Sequence, residues 1–350
     1  MRNVKLMCAA LGLVSMQLWT PVSAQETHRL SGSDVAVYNL AGQVEVVPGS
    51  GSDVVVRVTR GGPDASRLEI QTGDIGGRAT LRVVYPDDEI VYPAMGRGSS
   101  TSLRVRSDGT FGSGSSGDRG DDVRLRGSGS GLEAWADLVI EVPEGKDFAA
   151  HLAVGEVDVR GVRSDVAVST GGGQVDVSDV TGDVLVDTGS GSVSVAGVRG
   201  DVTLDTGSGS VTIRNIDGDQ VLVDTGSGGV RGGAIRAHSL DVETGSGSIE
   251  LDEITSQDIS LDTGSGSVDL VLGADVESLE VDTGSGSVTV RAPGDLGGEL
   301  EIDTGSGGIE TDFAVRMHTV RRDHVSGTLG DGRGRISIDT GSGKVRLLKN

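Results

Sequence analysis

The chain has 350 residues, with 52 acidic against 30 basic side chains and a formal net charge of −22. A chain this acidic repels phosphate backbones and anionic lipid surfaces, which argues against nucleic acid and the bare bilayer as partners. Aromatic residues make up 2% and glycines number 58, so small β-branched side chains must fill the core, as suits thin stacked layers, and collagen's three-residue glycine period is absent.

The first 24 residues read as a secretory signal peptide. Arg2 and Lys5 give the positive start, Leu6 to Leu18 the short apolar run, and Val22-Ser23-Ala24 the small residues of a cleavage site before Gln25. That run is too short for a stable anchor, and no other stretch is apolar enough to cross a bilayer. The mature chain is therefore expected to be exported, without a transmembrane segment. Removing Arg2 and Lys5 takes the charge from −22 to −24. Cys8, the sole cysteine, leaves with the leader, so the mature chain has no thiolate chemistry and no disulfide.

Residues 25–150 are expected to form an N-terminal β region. Val35/Val37, Val44/Val46, Val54/Val56/Val58, Leu68/Ile70 and Leu81/Val83 are strand-like pairs divided by Gly, Pro and Asp. Residues 94–131 turn into Gly, Ser, Arg and Asp, a composition that predicts a flexible insert. Strand character returns at Trp135 to Val142, and Pro143-Glu144-Gly145 turns into the repeats.

From 151 to 350 the chain repeats itself. An acidic residue followed by Thr-Gly-Ser-Gly, or a close variant, recurs at Asp187, Asp205, Asp224, Glu243, Asp262, Asp282, Asp303 and Asp339, in steps of 18, 19, 19, 19, 20, 21 and 36 residues. A degenerate copy, Ser169-Thr170-Gly171-Gly172-Gly173, precedes them. Each unit reads as two half-buried strands around a turn: Val202/Leu204 with Val211/Ile213, Ile259/Leu261 with Val268/Leu270, Leu279/Val281 with Val288/Val290. No segment carries a capped 3.6-residue apolar stripe, so helix is not expected. Either a β-solenoid with parallel coils or a meander of antiparallel hairpins fits this alternation. Near-identity at equivalent positions favours the solenoid, because like residues then stack in ladders.

Leu138-Val139-Ile140-Glu141-Val142-Pro143, then His151 to Val159, and then the many Thr-x-Ser-Gly-x-Val turns resemble the bacterial DUF4097 family of adhesin-like proteins. The resemblance runs from about Ser31 to Asn350 and implies a secreted or envelope-associated β-solenoid. It carries no activity and no functional residues to transfer. The long 94–131 insert departs from the family pattern.

Several motifs invite sharper readings. Val223-Asp224-Thr225-Gly226-Ser227 matches the aspartic-protease signature, but that chemistry needs two carboxylates sharing a proton across a cleft, and seven Asp-Thr-Gly-Ser copies at coil spacing serve no such dyad. These Asp residues are expected to cap the glycine turns that follow. Stacked carboxylates raise the question of Ca²⁺, which is not favoured because each coil offers one carboxylate while Ca²⁺ takes six to eight oxygens. No catalytic, cofactor or metal site emerges. In the long last step, Arg316, Arg321, Arg322, Arg333 and Arg335 read as a hairpin paired with the acidic body, or as a basic patch for an anionic envelope component. Lys344-Val345-Arg346-Leu347-Leu348-Lys349 is expected to cap the open end of the solenoid. The expected function is an exported, non-enzymatic, adhesin-like scaffold that binds an envelope or surface component. The alternatives are a carbohydrate-active β-helix enzyme, against which the scarcity of aromatics argues, and a subunit that signals envelope state.

Overall fold

A computed structural model describes residues 25–112 and 120–350. The expected signal peptide lies outside the described residues, which are all-β apart from two single turns of 3-10 helix. The alternation of small apolar residues winds the repeats into a parallel β-solenoid. Each coil has a leading strand before its glycine turn and a trailing strand after it. Val184–Thr188 pairs in parallel with Val202–Thr206, which pairs with Gln220–Thr225. On the other side of the turn, Val193–Arg199 pairs with Val211–Asp217, which pairs with Val230–Thr244. The antiparallel meander is thereby excluded. Leu204, Val211, Ile213, Leu261 and Val268 are all at most 1% exposed and fill the thin interior, so the in/out register is as the alternation predicts.

The glycine turns show why the motif tolerates so little change. A Cβ on the second glycine of each turn, as at Gly247 or Gly266, would fall inside the carbonyl oxygen of the equivalent glycine in the coil beneath. Side chains therefore cannot occupy that column without parting the coils. A second corner bends the chain at or near the trailing strand of several coils, where Asp179, Asn215, Ala234 and Glu253 take left-handed φ of 54° to 56° at equivalent places.

The N-terminal region belongs to the same stack. Residues 34–46 pair in parallel with 147–159 of the strand Asp147–Arg160, which runs across the 150/151 boundary drawn from sequence. The parallel order extends one layer beyond Asp34–Pro48. Arg78–Val84 and Trp135–Val142 each cover half of it, and antiparallel Glu69–Ile75, Val54–Gly61 and Gln25–Leu30 close that end. Residues 94–131, expected as a flexible insert, contribute the paired strands Ser100–Val105 and Asp121–Arg126. With Glu89–Val91 these form a separate three-stranded sheet over a small second core containing Ile90, Phe111 and Leu125.

The C-terminal end departs from chain order. Ser278–Thr283 pairs not with the next leading strand, Gly298–Thr304, but with Arg335–Thr340, and Gly298–Thr304 lies on the far side of Arg335–Thr340. Likewise Val345–Lys349 is held between Val288–Ala292 and Ile309–Thr311. The segment expected to cap the stack is thus inserted within it. The cap on the leading side is the hairpin Val315–Val320 and His324–Leu329, whose second strand runs antiparallel against Gly298–Thr304. Every coil presents an equivalent edge, so chain order does not dictate stacking order.

Candidate functional site

Parity along each leading strand decides which side chains reach solvent. In Val186-Asp187-Thr188 the valine and threonine point inward and the aspartate outward, and register then aligns one acidic residue per coil. The column runs Asp187, Asp205, Asp224, Glu243, Asp262, Asp282, Asp339, Asp303. Spatial order reverses the last two relative to the sequence. At a strand spacing of about 4.8 Å, eight carboxylates span about 34 Å. No Lys or Arg forms an ion pair with any of them among the described residues. Burial, reinforced by Asp205, raises the Asp187 carboxyl above its ordinary value, and burial with Asp339 and Glu280 does the same for Asp282.

The aspartates do not cap the glycine turns. From the coil of Asp224 onward that work falls to the buried threonine beside the acidic residue, whereas Thr206 Oγ1 has no hydrogen-bond partner. The Gly266 N–H donates to Thr263 Oγ1 at 3.0 Å, while Thr263 Oγ1 donates to the Gly247 carbonyl of the coil beneath at 2.8 Å. Thr283, Thr340 and Thr304 repeat the arrangement. The same alternation that places the apolar residues was the signal for this, since it puts Thr inside and Asp outside. A different set of aspartates does accept backbone N–H groups. Asp165, Asp183 and Asp201, at the starts of leading strands, take the N–H of Asp183, Asp201 and Asp219 in the next coil at 2.8 to 2.9 Å.

Both ends of the column carry histidine. At one end Asp187 is followed by Ser169, His151 and Tyr38. The His151 ring stacks on Tyr38 at 4.4 Å and meets Phe111 edge-on, with neither ring nitrogen hydrogen-bonded. Burial, with the positive charges of Arg78 and Arg106, pushes its pKa down to about 4. At the other end His324 Nδ1 lies 2.8 Å from Asp303 Oδ1. The expected arginine hairpin is present, but Arg333 pairs with the adjacent Asp331 rather than with the acidic body, and Arg316, Arg321 and Arg322 are exposed. Met317 and Val320, 45% and 63% exposed, lie beside them. A cleft of about 420 Å³, which sequence reading did not anticipate, lies between the inserted sheet and the first glycine turns, lined by Gln43, Tyr92, Met95, Glu156, Gln174 and Ser190.

Residues 183–348, which hold both the column and the inserted C-terminal coil, match the family described as Toastrack DUF4097. Over these residues the repeat array is similar to the DUF4097 family. The match does not extend to the N-terminal cap or to the three-stranded sheet. A solved structure described as "a putative cell adhesion protein" from Clostridium sporogenes ATCC 15579 aligns over 93% of this chain and 99% of that one. Its identity is 10% and its TM-score 0.20. No functionally curated protein matches the chain. Among the described residues no helix is long and apolar enough to cross a membrane.

Proposed function

We propose that this protein is an exported, non-enzymatic scaffold of the cell envelope or surface, adhesin-like in offering repeated binding faces. The observation that carries the reading is the column itself. Enzymes gather unlike groups at one point, with a nucleophile, an acid/base group and their orienting partners in mutual reach. Here one group is repeated at strand spacing along a whole face, the geometry of a surface that meets an extended or repeating partner. The exposed arginine hairpin at one end supplies the opposite charge, suited to an anionic envelope component.

The test uses residues 25–350 and envelopes isolated from the organism of origin. The protein is expected to sediment with the envelopes in a salt-sensitive manner, and Arg316→Glu/Arg321→Glu/Arg322→Glu to remain in the supernatant. Failure of the wild-type chain to sediment, or its retention in the cytosol on fractionation, overturns the scaffold reading. Unchanged sedimentation of the triple variant rejects the hairpin as the contact.

A further inference from the structure

The capped end of the acidic column differs from its interior in one respect that chemistry can use: it holds an imidazole. Along the interior, parallel stacking places a single carboxylate from each coil at this position. At the cap the chain direction reverses, and antiparallel register sets His324 opposite Asp303, with Glu301 two residues earlier on the same outward face. One ligand atom from each of Glu301, Asp303 and His324 lies within 4.8 Å of the other two.

We propose that Glu301, Asp303 and His324 form a site for one borderline divalent cation, with Zn²⁺ as its reference ion. The proposal is independent of the envelope reading. Two carboxylates and an imidazole are a donor set that Zn²⁺ accepts, with water completing a tetrahedron. An imidazole nitrogen with so few oxygens is poorly suited to Ca²⁺. Ligand bonds of about 2.0–2.2 Å place tetrahedral ligand atoms roughly 3.4 Å apart. His324 Nδ1 and Asp303 Oδ1, at 2.8 Å, are already closer than that. Glu301 is exposed and has the longer arm, so its carboxylate can move inward. On metal binding, the Nδ1 lone pair replaces the present hydrogen bond to Asp303, and the ring proton resides on Nε2.

Two further features support the site. The ligands project from paired strands whose inward residues Ile302 and Val325 are 0% and 6% exposed, so the backbone beneath is fixed by packing. Independently, the eight stacked carboxylates lack a Lys or Arg partner among the described residues, and Asp339 flanks Asp303 on its other side. A cation here neutralises the end of a row of like charges.

Calorimetric titration of residues 25–350 with Zn²⁺ at fixed ionic strength should give one equivalent with a saturable isotherm. His324→Ala should weaken it by about tenfold or more, since losing even an outer-shell partner costs that much. Glu301→Gln, at an exposed position, should weaken it as well without perturbing the fold, and Asp205→Asn within the column should leave it unchanged. Co²⁺ loaded in place of Zn²⁺ should show a ligand-field spectrum that His324→Ala abolishes, with circular dichroism confirming that the variant is folded. Several equivalents, competition by equimolar Ca²⁺, or affinity unchanged in both His324→Ala and Glu301→Gln would overturn the site.

Discussion

Adjacent residues of one motif have opposite roles in Asp262-Thr263-Gly264-Ser265-Gly266. The Thr263 hydroxyl is fully buried and bridges two coils, whereas the Asp262 carboxylate stands in solvent between Glu243 and Asp282. Thr263→Val keeps the shape and strands the Gly266 N–H and the Gly247 carbonyl, a loss of roughly 2 kcal/mol for buried groups left unpaired. Asp262→Asn removes repulsion from two neighbours, each worth about 0.8 kcal/mol at 5 Å in water and less with salt, so it should stabilise slightly. Chemical denaturation of the two variants checks this. Equal destabilisation would return the turn-capping role to the aspartate.

At the scale of the element, the column makes the leading face sensitive to pH and salt. Asp187 and Asp282 have folded-state pKa values raised by burial and by neighbouring carboxylates. An acid with a raised folded pKa contributes stability below its unfolded value of about 3.9, and that stability is lost as pH rises through the folded value. Mild acidification from neutral pH should therefore strengthen the column, and the gain should shrink in 1 M salt, where the Debye length is about 3 Å. His151 acts in the opposite direction. Its pKa is depressed to about 4, so its stability is present above about 6.5 and is lost as pH falls towards 4, by up to about 3 kcal/mol. His151→Phe retains an aromatic ring against Tyr38 and removes this arm. Its melting temperature should rise from pH 7 to pH 5 by more than that of the parent chain. Parallel melting curves from pH 7 to pH 4 decide the matter, and identical slopes would show that the buried imidazole does not govern the acid limb.

For the whole molecule, stacking order is the decisive fact. Glu280 and Ser337 are directly paired, whereas Glu301 lies one strand further out. Paired Cα atoms at the strand spacing of about 4.8 Å permit a disulfide, and a separation of two spacings, about 9.6 Å, does not. In the chain lacking Cys8, Glu280→Cys/Ser337→Cys should oxidise readily, and Glu280→Cys/Glu301→Cys should remain reduced. The opposite result would restore stacking in chain order and remove the inserted coil. Antiparallel strands terminate both edges of the leading sheet and give a further coil no parallel template.

The repeat, the solenoid and the burial of pairs such as Val211/Ile213 were legible in the sequence. They follow from local alternation and from nearest-neighbour stacking, which every coil repeats. The inward threonine was equally legible by parity, although Asp, as a frequent turn residue, drew the assignment. The strands within 94–131 were hidden because their polar composition resembles a loop, and their burial comes from a small core supplied by distant residues such as Leu40 and Ala153. By itself, then, the sequence determined the period, the register and the row of outward carboxylates, all set by side-chain alternation over a few residues. Only the tertiary structure decided that the C-terminal coil enters between two earlier ones and that His324 faces Asp303. Coils with interchangeable edges leave stacking order open to any local rule, and only closure of the whole stack selects one.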